Sequence, residues 1–207
     1  MEKTSLPRKE REKQCHRREI LNAALKLFSE KSFHDVSMQE IADESEFSVG
    51  TLYNFFENKD TLFSELIRDC AKKIKDALAP LLQNDEIETK KLSKYIRAHK
   101  QIVNENVRSI KMYLLQCPNS FLTFKLDIDP VADAVRDEIR SMVSDVFKSG
   151  ISKGLFREIS PDIGALLLNA QLESVSLQYV MRPAMTSIDD GILEIEKLFM
   201  TGILRND

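Results

Sequence analysis

The sequence predicts an all-α protein with an N-terminal three-helix domain, which contains a helix-turn-helix, and a larger C-terminal helical domain. Apolar residues recur at helical spacing along most of the chain, and capping residues stand where several of these segments begin. Only six glycines and six prolines occur in 207 residues, which favours long helices over short strands joined by turns. We divide the chain into a basic N-terminal arm (1–16), a helix-turn-helix domain (17–58) and a C-terminal helical domain (59–207).

Three short helices are expected within residues 17–56. The segment "RREILNAALKLFSE" (17–30) places one set of apolar residues on a single helical face: Ile20, Ala24, Leu27 and Phe28. Ser37 with Glu40 three positions later is the capping-box pattern of a second helix start. Ser48 is expected to cap a third helix that runs to about Asn54, so the second and third helices form a helix-turn-helix.

The remaining segments are also predicted to be helical. Asn58 is the expected N-cap of a long helix that ends within 80–85, and amphipathic segments follow at 88–105 and 107–117. Asp129–Pro130 and Ser160–Pro161 each place a capping residue before a proline at the first helical position. The last helix is expected at about 187–204.

The last two predicted helices carry more apolar surface than one core requires. In the first of them, apolar residues lie around most of the circumference: Ile163, Leu166, Leu167, Leu168, Ala170, Leu172, Val175 and Leu177. Such a helix is buried on several sides. We therefore expect a homodimer through the last two helices, joined as a four-helix bundle, while a monomer core that absorbs both helices is the alternative.

Charge is distributed unevenly along the chain. Residues 1–18 hold seven basic and three acidic residues, a net charge of +4, so the remainder carries −7 of the total of −3. A basic leader on an acidic body suits an arm that binds phosphates, and a solvated tail is the alternative. The chain start lacks the apolar stretch of a signal peptide, and the apolar runs fall short of the ~20 residues that span a bilayer. We therefore expect a cytoplasmic protein without membrane contact.

The segment "SVGTLYNFF" (48–56) has the composition of a DNA-reading helix. Leu52, Phe55 and Phe56 can pack inward, which leaves outward a recognition surface of hydroxyl, amide and small residues: Ser48, Val49, Gly50, Thr51, Tyr53 and Asn54. Such groups contact phosphate oxygens and base edges. Glycine costs about 1 kcal/mol relative to alanine within a helix. The presence of Gly50 inside a helix therefore needs an explanation, which is either close approach of the backbone to DNA or a packing constraint.

Residues 17–67 resemble the DNA-binding region of the tetracycline-repressor (TetR) family. Four motifs occur in the family's order: "ILNAALKLF", "SMQEIA", "GTLYNFF" and "NKDTL". The rest of the chain is similar in architecture only. The resemblance implies an all-helical dimer that binds a palindromic double-stranded DNA operator and takes up a small-molecule effector. It also implies that the protein represses a nearby operon until that effector arrives.

The family's DNA contacts fall on Ser37, which would hold a phosphate, on the recognition surface, and on Lys59. A lysine in the first turn of a helix opposes the helix dipole unless a phosphate lies beside it, and Lys59 would bind that phosphate. We also expect Arg17 to contact DNA. The chain departs from the family at Ser45–Glu46, where a small residue and glycine are frequent. It departs again at Val49, where a basic or polar residue is frequent, and we expect Val49 to touch a thymine methyl.

The effector pocket is expected among the helices from about residue 60 to 180. Its predicted lining consists of Ile74, Ile102, Asn106, Ile110, Tyr113, Leu114, Cys117, Phe121, Phe124, Phe147, Gln171 and Ser174. The aromatic and aliphatic bias of this set suggests a mainly apolar effector. No cofactor or metal is expected, because the three cysteines and three histidines are scattered without ligand spacing.

Two other functions are alternatives to a ligand-responsive repressor. A DNA-bound interaction protein without a small-molecule effector would have a tightly filled C-terminal core. An enzyme is disfavoured, because the sequence has no Ser/His/Asp signature, phosphate-binding glycine loop or cluster of metal ligands.

Overall fold

The computed structural model describes residues 7–116, 129–185 and 187–204, apart from the side chain of Leu114. These ranges form α-helices joined by short connections, with a 3₁₀ turn at Phe33–Asp35. In chain order the helices are α1 (Arg8–Phe28), α2 (Met38–Glu44), α3 (Val49–Phe55), α4 (Lys59–Leu82), α5 (Glu88–Glu105), α6 (Val107–Gln116), α7 (Pro130–Ser152), α8 (Pro161–Met181) and α9 (Ile188–Ile203). The predicted all-α class is confirmed.

The helix starts follow the capping signals in the sequence. The hydroxyl of Ser37 accepts the Glu40 backbone N–H while the Glu40 carboxylate accepts that of Ser37, a complete capping box. The side chains of Ser48 and Asn58 likewise accept backbone N–H groups at the starts of α3 and α4. Asp129 accepts two such bonds at the start of α7. These predicted starts are confirmed.

The first helix differs from the prediction. It begins at Arg8 and not at Arg17, with Pro7 at its N-cap. The basic residues of 8–16 therefore lie on a helix, and over these residues the expectation of a separate arm is wrong. The physical reason is local, because the Arg8 and Glu12 side chains pair at 2.7 Å one turn apart and Glu10 lies in the positively polarised first turn.

Two apolar cores lie along the chain. The N-terminal core joins α1, α2 and α3 to the first half of α4 through Leu62, Phe63, Leu66 and Ile67. The C-terminal core contains Leu78 and Leu82 from the other end of α4 and residues of α5, α7, α8 and α9. Since α4 has 24 residues, one continuous helix enters both cores.

A second connection between the cores runs through α6. Its Met112 is fully buried in the N-terminal core, and Ile110 of the same helix packs against the C-terminal core. A movement of α6 therefore displaces apolar contacts in both cores. None of the helices in the described ranges is long and apolar enough to cross a membrane.

Candidate nucleic-acid interface

The recognition helix α3 is held to its domain by one face. Leu52 is fully buried and Phe56, directly after the helix, is almost so, while Phe55 is half-buried against the same core. Complete burial of a leucine or phenylalanine side chain contributes about 1.5–3 kcal/mol. These three residues pack inward as predicted, and this packing fixes which side of α3 faces solvent.

The opposite side of α3 presents small and polar groups. Ser48, Gly50, Tyr53 and Asn54 are exposed, and Thr51 is half-buried. The Ser48 Oγ accepts the Thr51 N–H at 3.1 Å and lies 2.8 Å from the Thr51 hydroxyl. The surface therefore combines hydroxyl, amide and phenol groups with an accessible helix backbone, which suits contact with base edges and phosphates.

Val49 lies elsewhere than expected. Its side chain is half-buried and packs against the N-terminal core. Val49 stands three positions before the buried Leu52 and therefore shares its side of the helix. Much of the Val49 side chain that was expected to meet a thymine methyl is thus covered by the protein core. The role of Val49 as a base contact stays a prediction.

Among the residues that the structure describes, nothing packs tightly enough against Gly50 to require a glycine there. A Cβ atom built at Gly50 would meet the Ser48 Oγ at 3.8 Å, which is ordinary van der Waals contact. The sequence leaves two explanations for Gly50 open, and the structure does not support the packing constraint. Close approach of the backbone to a ligand such as DNA is the explanation that agrees with the structure.

The turn before α3 contains a strained residue. Glu46 has φ = 58°, in the left-handed region that favours glycine. The Phe47 N–H bonds to the Ala42 carbonyl at 3.0 Å and the Glu46 N–H to the Asp43 carbonyl at 3.3 Å, the two bonds of a Schellman motif that ends α2. The departure from glycine therefore leaves the turn geometry intact at a cost in backbone strain.

Ser37 is exposed at the start of α2, where a phosphate could reach it. Its hydroxyl is part of the capping box with Glu40. Hydrogen bonds from Lys31 and from Ser37 lower the pKa of Glu40 to about 2, so a negative charge stays beside this helix start. The predicted phosphate contact of Ser37 thus has an acidic neighbour, and it stays a prediction.

Lys59 has partners within the protein. Its ammonium donates to the carbonyls of Phe33 and Val36, at 2.6 and 2.7 Å, and lies 4.3 Å from the centre of the Phe33 ring. These contacts connect the start of α4 to the segment before Ser37. The two carbonyls thus offset the unfavourable interaction of the Lys59 charge with the helix dipole. They also occupy two of the three N–H groups of the ammonium.

Arg17 also has partners within the protein, and its expected DNA contact stays a prediction. Its guanidinium pairs with the Glu65 carboxylate, with Nε 2.7 Å from Oε1, and donates from Nη1 to the Phe55 carbonyl at 2.9 Å. The group lies 4.3 Å from the centre of the Phe56 ring. Sequence reasoning could not find these partners, because 38 and 48 positions separate them from Arg17.

The sequence analysis also missed a crevice beside the recognition helix. An open crevice of about 810 Å³ lies between the start of α1 and the end of α3, and its lining includes Lys9, Lys13, His16 and Asn54. Lys9, Lys13 and His16 continue the stripe of the buried Ile20 at spacings of three and four residues, and the His16 ring lies 5.1 Å from that of Phe47. This spacing was the signal available in the sequence.

Those predicted effector-binding residues that the structure describes do not form a single cluster. Gln171 and Ser174 are exposed and share a stripe of α8 with Ile163 and Leu167. Asn106 donates to the Ile102 carbonyl at the end of α5, at 2.8 Å, so its amide caps that helix. Ile102 itself is buried, and Ile74 and Ile110 are half-buried against the C-terminal core.

Two aromatic members of that set are packed in different cores. Phe147 is fully buried, with its ring 5.8 Å from those of Phe156 and Phe199. Tyr113 packs against the N-terminal core, and its hydroxyl accepts a bond from Arg136 at 3.3 Å. The structure therefore assigns Phe147 to the core, because the approach of α7, α8 and α9 leaves its ring surrounded. Cys117, Phe121, Phe124 and the side chain of Leu114 lie outside the described residues.

Comparison with known proteins agrees with the N-terminal geometry. Residues 20–66 match the model of the family described as bacterial regulatory proteins, tetR family. The chain is 31% identical over 80 residues to the HTH-type transcriptional regulator YdgC of Bacillus subtilis, covering 39% of this chain and 41% of YdgC. It is 45% identical over 56 residues to the HTH-type transcriptional regulator UidR of Escherichia coli, covering 27% of this chain and 29% of UidR. The chain thus aligns with less than half the length of these two relatives.

The whole fold also has a counterpart among solved structures. It resembles the MbdR regulator from Azoarcus sp. CIB with a TM-score of 0.74 and 22% identity, over 92% of this chain and 100% of that one. At this identity the likeness shows the fold alone. The relatives are transcriptional regulators and not enzymes, in agreement with the expectation from the sequence. The family match and these relatives identify residues 20–66 as a DNA-binding region of the TetR type, in a chain whose helical fold resembles that of a solved bacterial regulator.

Proposed function

We propose that the chain is a ligand-responsive repressor that binds a palindromic operator as a dimer and is released by a small, mainly apolar effector. The observation that carries the DNA-binding part is the exposed side of α3, where Gly50 leaves the helix backbone open between Ser48, Tyr53 and Asn54. A helix of this kind enters the major groove with its N-terminal residues at the base edges.

The dimer in this proposal is supported by exposed apolar residues on the last two helices. Ile163 and Leu167 of α8 are each 53% exposed, and Leu193 and Leu198 of α9 are 56% and 69% exposed. Exposed apolar patches mark interaction sites, and Ile163 and Leu167 lie one turn apart on the same side of α8. A second copy of the chain is the expected occupant, because two helices from each subunit make a self-complementary bundle.

The response to an effector is supported by the helices that enter both cores. A ligand beside α6 would act on the N-terminal core through Met112 and on α4 through the C-terminal core. It would release the operator only by binding the released conformation more tightly than the DNA-bound one.

A DNA-bound interaction protein without an effector is the second candidate. The complete burial of Phe147, a predicted pocket residue, favours it. A thermal-shift screen of small apolar and amphipathic molecules separates the two, since a ligand at 100 times its Kd adds about 2.7 kcal/mol to stability. A stabilising ligand that also weakens operator binding supports the repressor, and a ligand without effect on DNA affinity contradicts the release mechanism.

Selection from a random duplex library tests the DNA-binding part of the proposal. The full chain is incubated with the library at physiological salt, and the bound duplexes are sequenced. We expect an inverted repeat whose half-sites lie about 34–36 Å apart along the DNA axis, or a multiple of that distance. Recovery of sequences without a shared motif would contradict specific operator binding.

A further inference from the structure

The geometry around Arg17 points to a role that is different from phosphate binding. We propose that Arg17 is a positioning residue, whose ion pair with Glu65 sets the orientation of the recognition helix relative to α4. This inference rests on the proposed function, because it concerns how the recognition helix is presented to an operator. It replaces the expected DNA contact of Arg17 with an indirect role in binding.

The guanidinium is held on two edges and on one face. Both of its Glu65 contacts are charge-assisted hydrogen bonds in the bidentate arrangement, and Nη1 bonds to the Phe55 carbonyl at 2.9 Å. The ring of Phe56, itself 1% exposed, lies 4.3 Å from the guanidinium carbon. Three N–H groups and one planar face are thus already engaged within the protein.

These contacts join three helices at one point. Arg17 belongs to α1, Phe55 is the last residue of α3, and Glu65 lies two turns into α4. The carbonyl at the end of α3 carries partial negative charge and has no partner within its own helix, so a cation there is favourable. Only residues 56–58 connect α3 to α4, and the Arg17–Glu65 ion pair therefore restricts the angle between them.

The position of Glu65 gives the ion pair a regulatory consequence. The same helix continues to Leu78 and Leu82 in the C-terminal core. A rotation or shift of α4 that begins in that core moves the Glu65 carboxylate. Arg17 then transmits the movement to the end of α3, a few residues from Tyr53 and Asn54. An effector signal would thus reach the recognition surface through this pair.

Substitution of Glu65 distinguishes the two roles of Arg17 by the sign of the effect. If Arg17 contacts a phosphate, Glu65→Gln frees its guanidinium and removes a negative charge, so operator affinity rises. If Arg17 is a positioning residue, Glu65→Gln releases the end of α3 and operator affinity falls. Glu57→Gln, at an exposed carboxylate between α3 and α4, is the matched control for the change of charge.

The binding experiment uses the full chain and a duplex from the library selection, with fluorescence anisotropy at several salt concentrations. We expect Glu65→Gln and Arg17→Gln each to lower operator affinity about tenfold, and the double variant to lose no more than either single one, because coupled residues are not additive. The salt dependence should keep its slope in Arg17→Gln. A slope reduced by about one, with tighter binding by Glu65→Gln, would show a phosphate contact and overturn the proposal.

A conservative variant guards against general loss of structure. Arg17→Lys keeps the charge but cannot make the bidentate pair and the Phe55 bond together. A phosphate contact would tolerate this change, whereas the positioning role predicts a loss of affinity close to that of Arg17→Gln with an unchanged helical content. Near wild-type binding by Arg17→Lys would contradict the proposal.

Hydrogen exchange on the free protein tests the ion pair independently of DNA. Glu65→Gln should speed the exchange of backbone amides at the end of α3 and in residues 56–58, and Glu57→Gln should not. Unchanged exchange in Glu65→Gln overturns the positioning role. A wild-type chain without any sequence preference overturns the proposed function instead, and the exchange result then still decides the role of Arg17.

Discussion

At the scale of single residues, Gly50 separates stability from DNA binding. Its Cβ position is open, so Gly50→Ala should stabilise the N-terminal domain by about 0.5–1 kcal/mol through helix propensity. The added methyl group would stand between the helix backbone and a duplex. We expect operator affinity to fall about tenfold, which corresponds to about 1.4 kcal/mol. Urea unfolding and anisotropy measure the two effects, and an unchanged operator affinity would contradict the close-approach explanation.

Glu46 is the second residue whose conformation makes a prediction. A non-glycine residue in the left-handed region loses about 1–2 kcal/mol, which Glu46→Gly should recover in part, with an expected gain of about 1 kcal/mol. Glu46→Ala removes the same charge but retains a Cβ atom, so it should gain little. Thermal unfolding of both variants separates strain from charge. Equal stabilisation by glycine and alanine would show that the carboxylate, and not the backbone, is the cause.

Residue identity alone could not reveal the roles of the basic residues. Ser37, Ser48 and Asn58 were predictable as caps because their partners lie three positions away. Arg17 and Lys59 find their partners between 23 and 48 positions away, and only the tertiary fold brings these groups together. As basic residues, Arg17 and Lys59 were expected to bind phosphates. The tertiary packing instead places a carboxylate and backbone carbonyls beside them.

At the scale of helices, the start of α5 is tied to the end of α7 by one buried carboxylate. Glu88 is 2% exposed and accepts bonds from the Ser149 hydroxyl at 2.7 Å and from the Lys153 ammonium at 2.6 Å. Burial by itself would raise the pKa of Glu88, but Lys153 and Ser149 together lower it from 4.5 to about 2. The charged form is therefore favoured in the folded protein.

This pKa gives a sign for the dependence of stability on pH. The folded value lies below the unfolded one, so Glu88 contributes fully above about pH 4.5 and loses its contribution as the pH falls toward about 2. Glu88→Gln should cost about 2 kcal/mol at pH 6 and less at pH 3. Urea unfolding at pH 6 and at pH 3 measures the loss of stability, with Glu105→Gln as an exposed control on α5. An equal cost at both values would contradict the linkage.

The helix boundaries show where sequence patterns succeed and fail. Starts at Asn58, Asp129 and Ser187 were close to their observed positions because a capping side chain or a following proline marks them. The start of α1 was missed by nine residues, since residues 8–16 carry charges and no apolar stripe that would indicate a helix. In that segment side-chain pairs one turn apart support the helix.

At the scale of the whole molecule, the exposed faces of α8 and α9 predict a dimer. Leu167→Glu places a charge on this surface, where association would leave it buried and unpaired, so we expect monomers at micromolar concentration. Operator affinity should fall about 100-fold or more, because the two recognition helices would no longer be linked. Lys90→Glu on the exposed side of α5 is the control. Sedimentation analysis measures the oligomeric state, and a Leu167→Glu variant that remains dimeric would contradict this interface.

The proposed function requires that the exposed side of α3 give this chain a specific affinity for a symmetric operator. The most direct measurement compares the affinity for a selected palindromic duplex with that for a scrambled duplex of equal length and composition, at about 0.15 M salt. We predict a ratio of about 10³ or more, which is typical of specific recognition, and two chains bound per palindrome. Equal affinity for the two duplexes would contradict the claim.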